Sequence, residues 1–119
     1  MKTSLTAENA ASNNAYKTPI LVTATNAVSA QSAVAAVADS CIVVYAVVYG
    51  TSAAGSLTLN SASTAISAAL TTPGAGTVAV GNTASNAPLC TTKLGEALTI
   101  TTTGTAAHTA NIIYAVLHR

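Results

Sequence analysis

Apolar and polar positions alternate along the chain in short runs that are separated by turn residues. Runs rich in Val, Ile, Leu, Ala and Thr occur at residues 19–23, 31–37, 41–49, 56–60, 64–70, 76–80, 96–102 and 111–117. Gly, Pro, Asn and Asp occupy many of the segments between them, which is turn and loop chemistry. Seven or eight short strands at about ten-residue spacing are typical of sandwiches and jelly rolls. The pattern therefore predicts an all-β fold, a single jelly-roll-like antiparallel β-sandwich.

The alanine-rich stretch before the longest apolar run leaves two interpretations open. Alanine is the best helix former, so residues 27–38 could form a short helix. A strand at 31–37 is favoured, because Asp39 and Ser40 would form a turn into the apolar run and make a hairpin.

Glycine and proline predict the shape of three loops. Pro73 followed by Gly74 predicts a type II turn, and Gly95 and Gly104 are expected to adopt positive φ beside strands.

Two of the predicted strands are apolar on both faces. Alternation in CIVVYAVVY places Cys41, Val43, Tyr45, Val47 and Tyr49 on one face and Ile42, Val44, Ala46 and Val48 on the other. In NIIYAVL it separates Ile112, Tyr114 and Val116 from Ile113, Ala115 and Leu117. Either the N-terminal arm or loops cover the second face, or neighbouring copies bury it, as in an obligate oligomer.

Charge is scarce throughout the chain. Four Lys or Arg and three Asp or Glu occur in 119 residues, and Asp39 is the only charged residue between Thr18 and Thr92. Soluble domains usually contain about 25% charged residues. Such a neutral surface favours association, and the absence of basic runs argues against nucleic-acid binding.

The polarity of the N-terminus and the length of the apolar runs predict the domain boundary and the cellular compartment. Residues 1–17 are polar and predict an N-terminal arm, so that residues 18–119 form the sandwich domain. The apolar runs are shorter than the eighteen or so residues that a membrane helix needs, which argues against a membrane protein. The N-terminus lacks the apolar stretch of a signal peptide, so synthesis in a cytoplasm is expected.

No catalytic or metal-binding pattern is evident. Glu8, Asp39 and Glu96 are interpreted as solvated side chains, and His108 and His118 are ten residues apart, without metal-ligand spacing. Cys41 and Cys90 are interpreted as buried free thiols, with a disulfide as the alternative. The sequence predicts a protein that is not an enzyme and needs no cofactor.

Three stretches resemble small β-sandwich proteins of tailed bacteriophages that serve as capsid decoration, cement or head-fibre proteins. They are QSAVAAVADSCIVVYAVVYG, PLCTTKLGEALTITTTG and NIIYAVL, and the resemblance runs from Gln31 through Tyr114, about two thirds of the chain. The resemblance implies a jelly-roll-like domain, often trimeric, that binds the major capsid protein on the outside of the virion and stabilises the shell.

The apolar strands supply the predicted contact residues for copies or capsid. These are Ile42, Val44, Tyr45, Val48, Tyr49, Ile113, Tyr114 and Leu117. The alternative function is a receptor- or glycan-binding module of a phage fibre or adhesin. Sugar sites usually present an aromatic platform, and this chain has no Trp or Phe.

Overall fold

A computed structural model describes residues 17–81 and 88–118. Ten strands and no helix occur in these two ranges. The strands are β1 Thr18–Thr25, β2 Val28–Val34, β3 Ser40–Thr51, β4 Gly55–Ser61, β5 Thr64–Ala65, β6 Leu70–Thr72, β7 Gly76–Gly81, β8 Cys90–Thr91, β9 Leu98–Thr103 and β10 Ala107–His118. Each of the eight predicted runs contains a strand, although the run at 64–70 forms only the short β5 and β6. The predicted arm, apart from Lys17, lies outside the described residues.

The strands form two antiparallel sheets of five strands each. Sheet A has the order β1-β10-β3-β7, with β8 also paired to β3. Sheet B has the order β2-β9-β4-β5, with β6 also paired to β4. The two sheets pack face to face around a shared core, which confirms the predicted antiparallel β-sandwich.

The core between the sheets consists of small and medium apolar side chains. This inner cluster contains Val22, Ala24, Ile42, Val44, Val47, Tyr49, Leu57, Leu59, Leu98, Ile100, Ala110 and Ile112. The alternation of β1, β4, β9 and β10 supplies most of it, because every second side chain of a strand points to the same face. Thr99 and Thr101 alternate with Leu98 and Ile100 along β9, and both of their hydroxyls accept hydrogen bonds from the side-chain amide of Asn60.

The predicted hairpin between the alanine-rich strand and β3 is wrong. Residues 28–34 do form a strand, and the alternative helix is absent, but β2 pairs with β9 in sheet B. β3 already has β10 along one edge and β7 and β8 along the other. Because no edge of β3 remains for β2, the chain crosses between the sheets through the Asp39 turn.

The predictions for the loop glycines are confirmed at two positions and wrong at the third. Gly95 and Gly104 have φ angles of 76° and 101°. A type II turn would require positive φ at Gly74, but Gly74 is not among the positive-φ glycines. The Pro73–Gly74 segment connects β6 in sheet B to β7 in sheet A, so it joins two sheets rather than closing a hairpin.

Candidate interaction surface

A β-bulge in β3 decides which side chains reach the outer face of sheet A, the face turned away from sheet B. In the pairing with β10, Ile113 is opposite Ala46 and Tyr114 is opposite Val44, so Tyr45 is the inserted residue. Such an insertion reverses the alternation of the bulged strand. Ile42 and Val44 before it and Val47 and Tyr49 after it all belong to the inner cluster. The strict alternation predicted for β3 is therefore wrong, whereas that of β10 is confirmed.

One end of the outer face carries a second apolar cluster. Cys41, Val43, Tyr45, Ala115 and Leu117 form this outer cluster, and the half-buried Ile113 packs against it. Lys17 lies on the same face, with its amino nitrogen 4.3 Å from the centre of the Tyr45 ring. A cation over an aromatic ring at this distance is attracted to it. This half of the outer face is thus closed to solvent.

The other half of the outer face is open and uncharged. Four paired residues, one from each main strand, form a continuous row across the sheet. They are Leu21 in β1, Asn111 in β10, Val48 in β3 and Ala79 in β7. All four side chains are exposed, and Leu21 and Val48 retain 64% and 46% of their accessible surface. We call these four residues the exposed row. The row is uncharged, and Leu21 and Val48 are its two large apolar side chains.

A second row beside the exposed row is small and polar. Thr23, Thr109, Gly50 and Thr77 are paired across the same four strands. A shallow concavity of about 400 Å³ begins there, lined by Gly50, Thr51, Ser52, Gly76, Thr77, Ala107 and Thr109. It has no aromatic side chain on which a sugar ring could stack, so its lining lacks the platform that a glycan site usually has.

The predicted contact residues divide among three environments. Ile42, Val44 and Tyr49 lie between the two sheets, so they offer no surface to a partner. The bulge directs the apolar side chains on both sides of Tyr45 into the core. Tyr45 and Leu117 belong to the outer cluster, with Ile113 packed against it. Tyr114 is half-buried against the inner cluster.

Only Val48 of the predicted set reaches the open half of the outer face. Leu21 was missed by the sequence interpretation, although alternation in PILVT places it opposite the buried Val22.

His108 is a structural residue of the core. Its side chain is 1% exposed, and its Nδ1 lies 2.7 Å from the hydroxyl oxygen of Tyr49. Its Nε2 lies 3.2 Å from the carbonyl oxygen of Gly104, which can only accept a hydrogen bond. Nε2 therefore donates to Gly104, and Nδ1 accepts from Tyr49. Both ring nitrogens are occupied, and the ring is shielded from any substrate.

The hydroxyl of Tyr49 should contribute measurably to stability. Burial raises the pKa of Tyr49, so the hydroxyl keeps the proton that it donates to His108. Tyr49→Phe leaves Nδ1 of a buried histidine without a donor, and we expect the free energy of unfolding to fall by about 1–3 kcal/mol. Tyr114→Phe, on the half-buried tyrosine of the same sheet, should cost less than about 0.5 kcal/mol. Urea denaturation of the two variants measures both values, and equal losses would contradict the role of the Tyr49–His108 bond.

Glu96 is more than the solvated side chain that the sequence predicted. It is half-buried, and one carboxylate oxygen accepts a hydrogen bond of 2.6 Å from the buried hydroxyl of Ser61. The same hydroxyl accepts from the backbone N–H of Lys93 at 2.9 Å. These two hydrogen bonds connect the loop before β9 to Ser61 at the end of β4. Asp39 is exposed in a turn, as predicted, and Glu8 lies outside the described residues.

The two cysteines are free thiols on opposite faces of sheet A. Cys41 belongs to the outer cluster, whereas Cys90 packs against the inner cluster. Burial raises the pKa of Cys90 to about 11, which makes this thiol unreactive near neutral pH. Within residues 17–81 and 88–118, no three His, Cys, Asp or Glu side chains are grouped so that they could hold a metal ion.

Comparisons with protein-family models, with curated proteins and with solved structures find no match for this chain. In the described part of the chain there is also no helix that could cross a membrane.

Proposed function

We propose that this protein is a structural component of a bacteriophage virion, a decoration protein that binds the outside of the capsid as a homotrimer and stabilises the shell. The observation that carries the proposal is the exposed row on sheet A. It places two large apolar side chains, Leu21 and Val48, two strands or about 10 Å apart on an uncharged sheet face. A face of this kind is suited to contact with another protein surface.

The chemistry of the rest of the molecule favours a structural role. The resemblance to phage decoration proteins rests on stretches that form β2, β3, β8, β9 and β10. The most shielded histidine and the half-buried glutamate are both engaged in bonds that hold loops to strands. With only seven charged residues, copies of the chain repel one another weakly.

Light scattering across a dilution series tests the oligomer. We expect the wild-type protein to remain at three times the chain mass of 11.6 kDa down to low micromolar concentration. Leu21→Asp and Val48→Asp each place a carboxylate in the exposed row, and either should raise the dissociation constant at least about thirtyfold. The matched control is Val37→Asp, which adds the same charge at a residue that is 41% exposed in the connection between the sheets.

Light scattering tests the subunit contact, and copy number in virus particles tests the decoration role. Loss of the trimer in the two row variants, with retention in the control, supports the exposed row as the subunit contact. A monomeric wild-type protein, or row variants that remain trimeric, contradicts that contact. Copy number in purified virus particles tests the decoration role itself: we expect a value comparable to that of the major capsid protein, whereas a few copies per particle would indicate a fibre-tip module.

A further inference from the structure

The edge strands of the two sheets differ in how they are protected against pairing with another chain. On β1, Pro19 lacks an N–H, and the side-chain amide of Gln31 donates a hydrogen bond of 2.8 Å to the carbonyl oxygen of Thr23. β2 has two irregularities in its register and a φ of 51° at Ala30. β5, β6 and β8 contain only two or three residues each. Proline, bulges and shortness are the usual means by which a sheet edge is blocked.

β7 has none of these protections. It pairs with β3 at six successive residues without a register shift, and Gly76–Gly81 contains no proline and no charged residue. In the described part of the chain, no strand pairs with its other edge. We call this side of β7 the β7 edge. A regular strand with an unpaired edge is a template onto which an extended chain can add.

The backbone groups that face the β7 edge follow from the pairing of β3. The carbonyl oxygen of Val44 accepts a hydrogen bond of 2.6 Å from the N–H just before β8, so this inner-cluster residue directs its backbone towards β7 and β8. Val47 belongs to the same cluster and, because backbone direction and side-chain face alternate together, it bonds to Val80 opposite it. The N–H and C=O groups of the alternate residues, Thr77 and Ala79, therefore point away from β3. Both residues are exposed.

A small apolar cavity lies beside the β7 edge, between the two sheets. It has a volume of about 100 Å³ and is lined by Leu59, Ser67, Ala68, Leu70, Val80 and Leu89. The hydroxyl of Ser67 accepts a hydrogen bond from the N–H of Leu59 and donates one to the carbonyl oxygen of Ala68, both at 3.0 Å. Apart from this satisfied hydroxyl, the side chains of the lining are apolar. We call it the edge cavity.

The edge cavity suits one aliphatic side chain. An apolar cavity of about 150 Å³ accommodates a benzene ring, so a cavity of about 100 Å³ is too small for an aromatic side chain. Val80, which lines the cavity, lies on the same face of sheet A as its partner Val47. In a strand added to β7, every second side chain would lie on this face, about 5 Å from β7 and next to the cavity.

We propose that β7 binds an extended, uncharged segment of a partner protein as an added antiparallel strand, with one aliphatic side chain of that segment in the edge cavity. Hydrogen bonds to Thr77 and Ala79 supply the affinity, and the cavity supplies the specificity. Antiparallel addition continues the pairing of sheet A. The site depends neither on the exposed row as the subunit contact nor on the capsid, because it uses backbone groups at the edge of the sheet.

A synthetic peptide tests the site on the full-length protein. In this peptide, threonine and valine alternate on either side of a central leucine, and one lysine at each end provides solubility. We expect calorimetry to give a dissociation constant below about 100 µM. Bound peptide should protect the amides of Thr77 and Ala79 from hydrogen exchange, whereas those of Val78 and Val80 should exchange slowly with or without it. Absence of binding up to about 1 mM, or binding that leaves Thr77 and Ala79 unprotected, would overturn the proposal.

Two neighbouring alanines test the cavity. Ala68→Leu places an aliphatic side chain of the protein itself at the edge cavity and should weaken peptide binding at least about tenfold. The matched control is Ala69→Leu, which adds the same side chain at the next exposed residue, outside the lining, and should leave the affinity unchanged. Equal affinities in the two variants would contradict the edge cavity as the binding site of the leucine.

Methylation of the peptide backbone tests the hydrogen bonds without any change in the protein. In the proposed arrangement, the threonines of the peptide direct their N–H groups towards β7 and the valines direct theirs away. N-methylation of the two threonines next to the leucine should weaken binding at least about tenfold, and N-methylation of the two nearest valines by less than about threefold. Both peptides lose two N–H groups, so the difference reports on the β7 edge. Equal weakening by the two modifications would overturn the proposal.

Discussion

Replacing Gly81 by alanine is expected to lower the free energy of unfolding by about 3–5 kcal/mol. Gly81 ends β7 with a φ of 89°, a conformation that residues with a side chain rarely adopt. It also lies opposite Ala46, beside the bulge at Tyr45. A Cβ atom at this position would overlap the carbonyl oxygen of Tyr45 and lie 2.8 Å from the Cα of Ala46. Both atoms belong to the backbone of β3, which cannot move aside without disturbing the sheet.

The matched control for this substitution is Gly74→Ala. No heavy atom lies within 4 Å of a Cβ placed on Gly74, so its replacement should change the free energy of unfolding by less than about 0.5 kcal/mol. Chemical denaturation monitored by far-ultraviolet circular dichroism gives both values. A Gly81→Ala protein as stable as the Gly74→Ala protein would mean that β7 and the bulge are not in contact as described.

The bulge also explains which part of the fold the sequence could predict. In β10, Ile112 and Ala110 point to the core and Ile113 to the outer face, as alternation requires. In β3 the same reasoning fails at Tyr45. The residues around the bulge, from Val43 to Val47, are all apolar, so the pattern fits either alternation and contains no information on register. Only the long-range pairing with β10 and β7 reveals the inserted residue.

Strand partners were equally difficult to predict. The turn at Asp39 is compatible with a hairpin, and its φ of 57° is found in tight turns. Yet β2 lies in the other sheet, because β10, β7 and β8 occupy both edges of β3. Local turn chemistry determines that the chain bends, whereas the competition between distant strands for an edge determines which sheet it joins.

The interaction surface shows the same division between local and long-range information. Val48 was predicted as a contact residue because its run is apolar on both faces, and Leu21 could have been predicted from the alternation in β1. Their placement in one row depends on the registers of β1, β10 and β3. Those registers pair residues that are far apart in sequence.

Two adjacent valines in β3 provide the sharpest test of the bulge. Val47 is fully buried in the inner cluster, whereas Val48 is 46% exposed on the outer face. Val47→Asp places a carboxylate in an apolar core and is expected to lower the free energy of unfolding by at least about 4 kcal/mol at neutral pH. Val48→Asp places the same group in solvent and should cost less than about 1 kcal/mol in the stability of the isolated chain.

The pH dependence of the Val47→Asp protein separates a buried charge from a simple packing defect. Burial disfavours the charged form and raises the pKa of the new carboxyl above the ordinary value of about 3.9. The folded state then binds the proton more tightly than the unfolded state, so the destabilisation should be smallest at acid pH and grow as the pH rises. Denaturation of both variants at pH values on either side of neutrality measures this trend. If Val48→Asp were the more damaging substitution, β3 would alternate without a bulge after Tyr45, and the exposed row would have to be replaced by one that contains Val47.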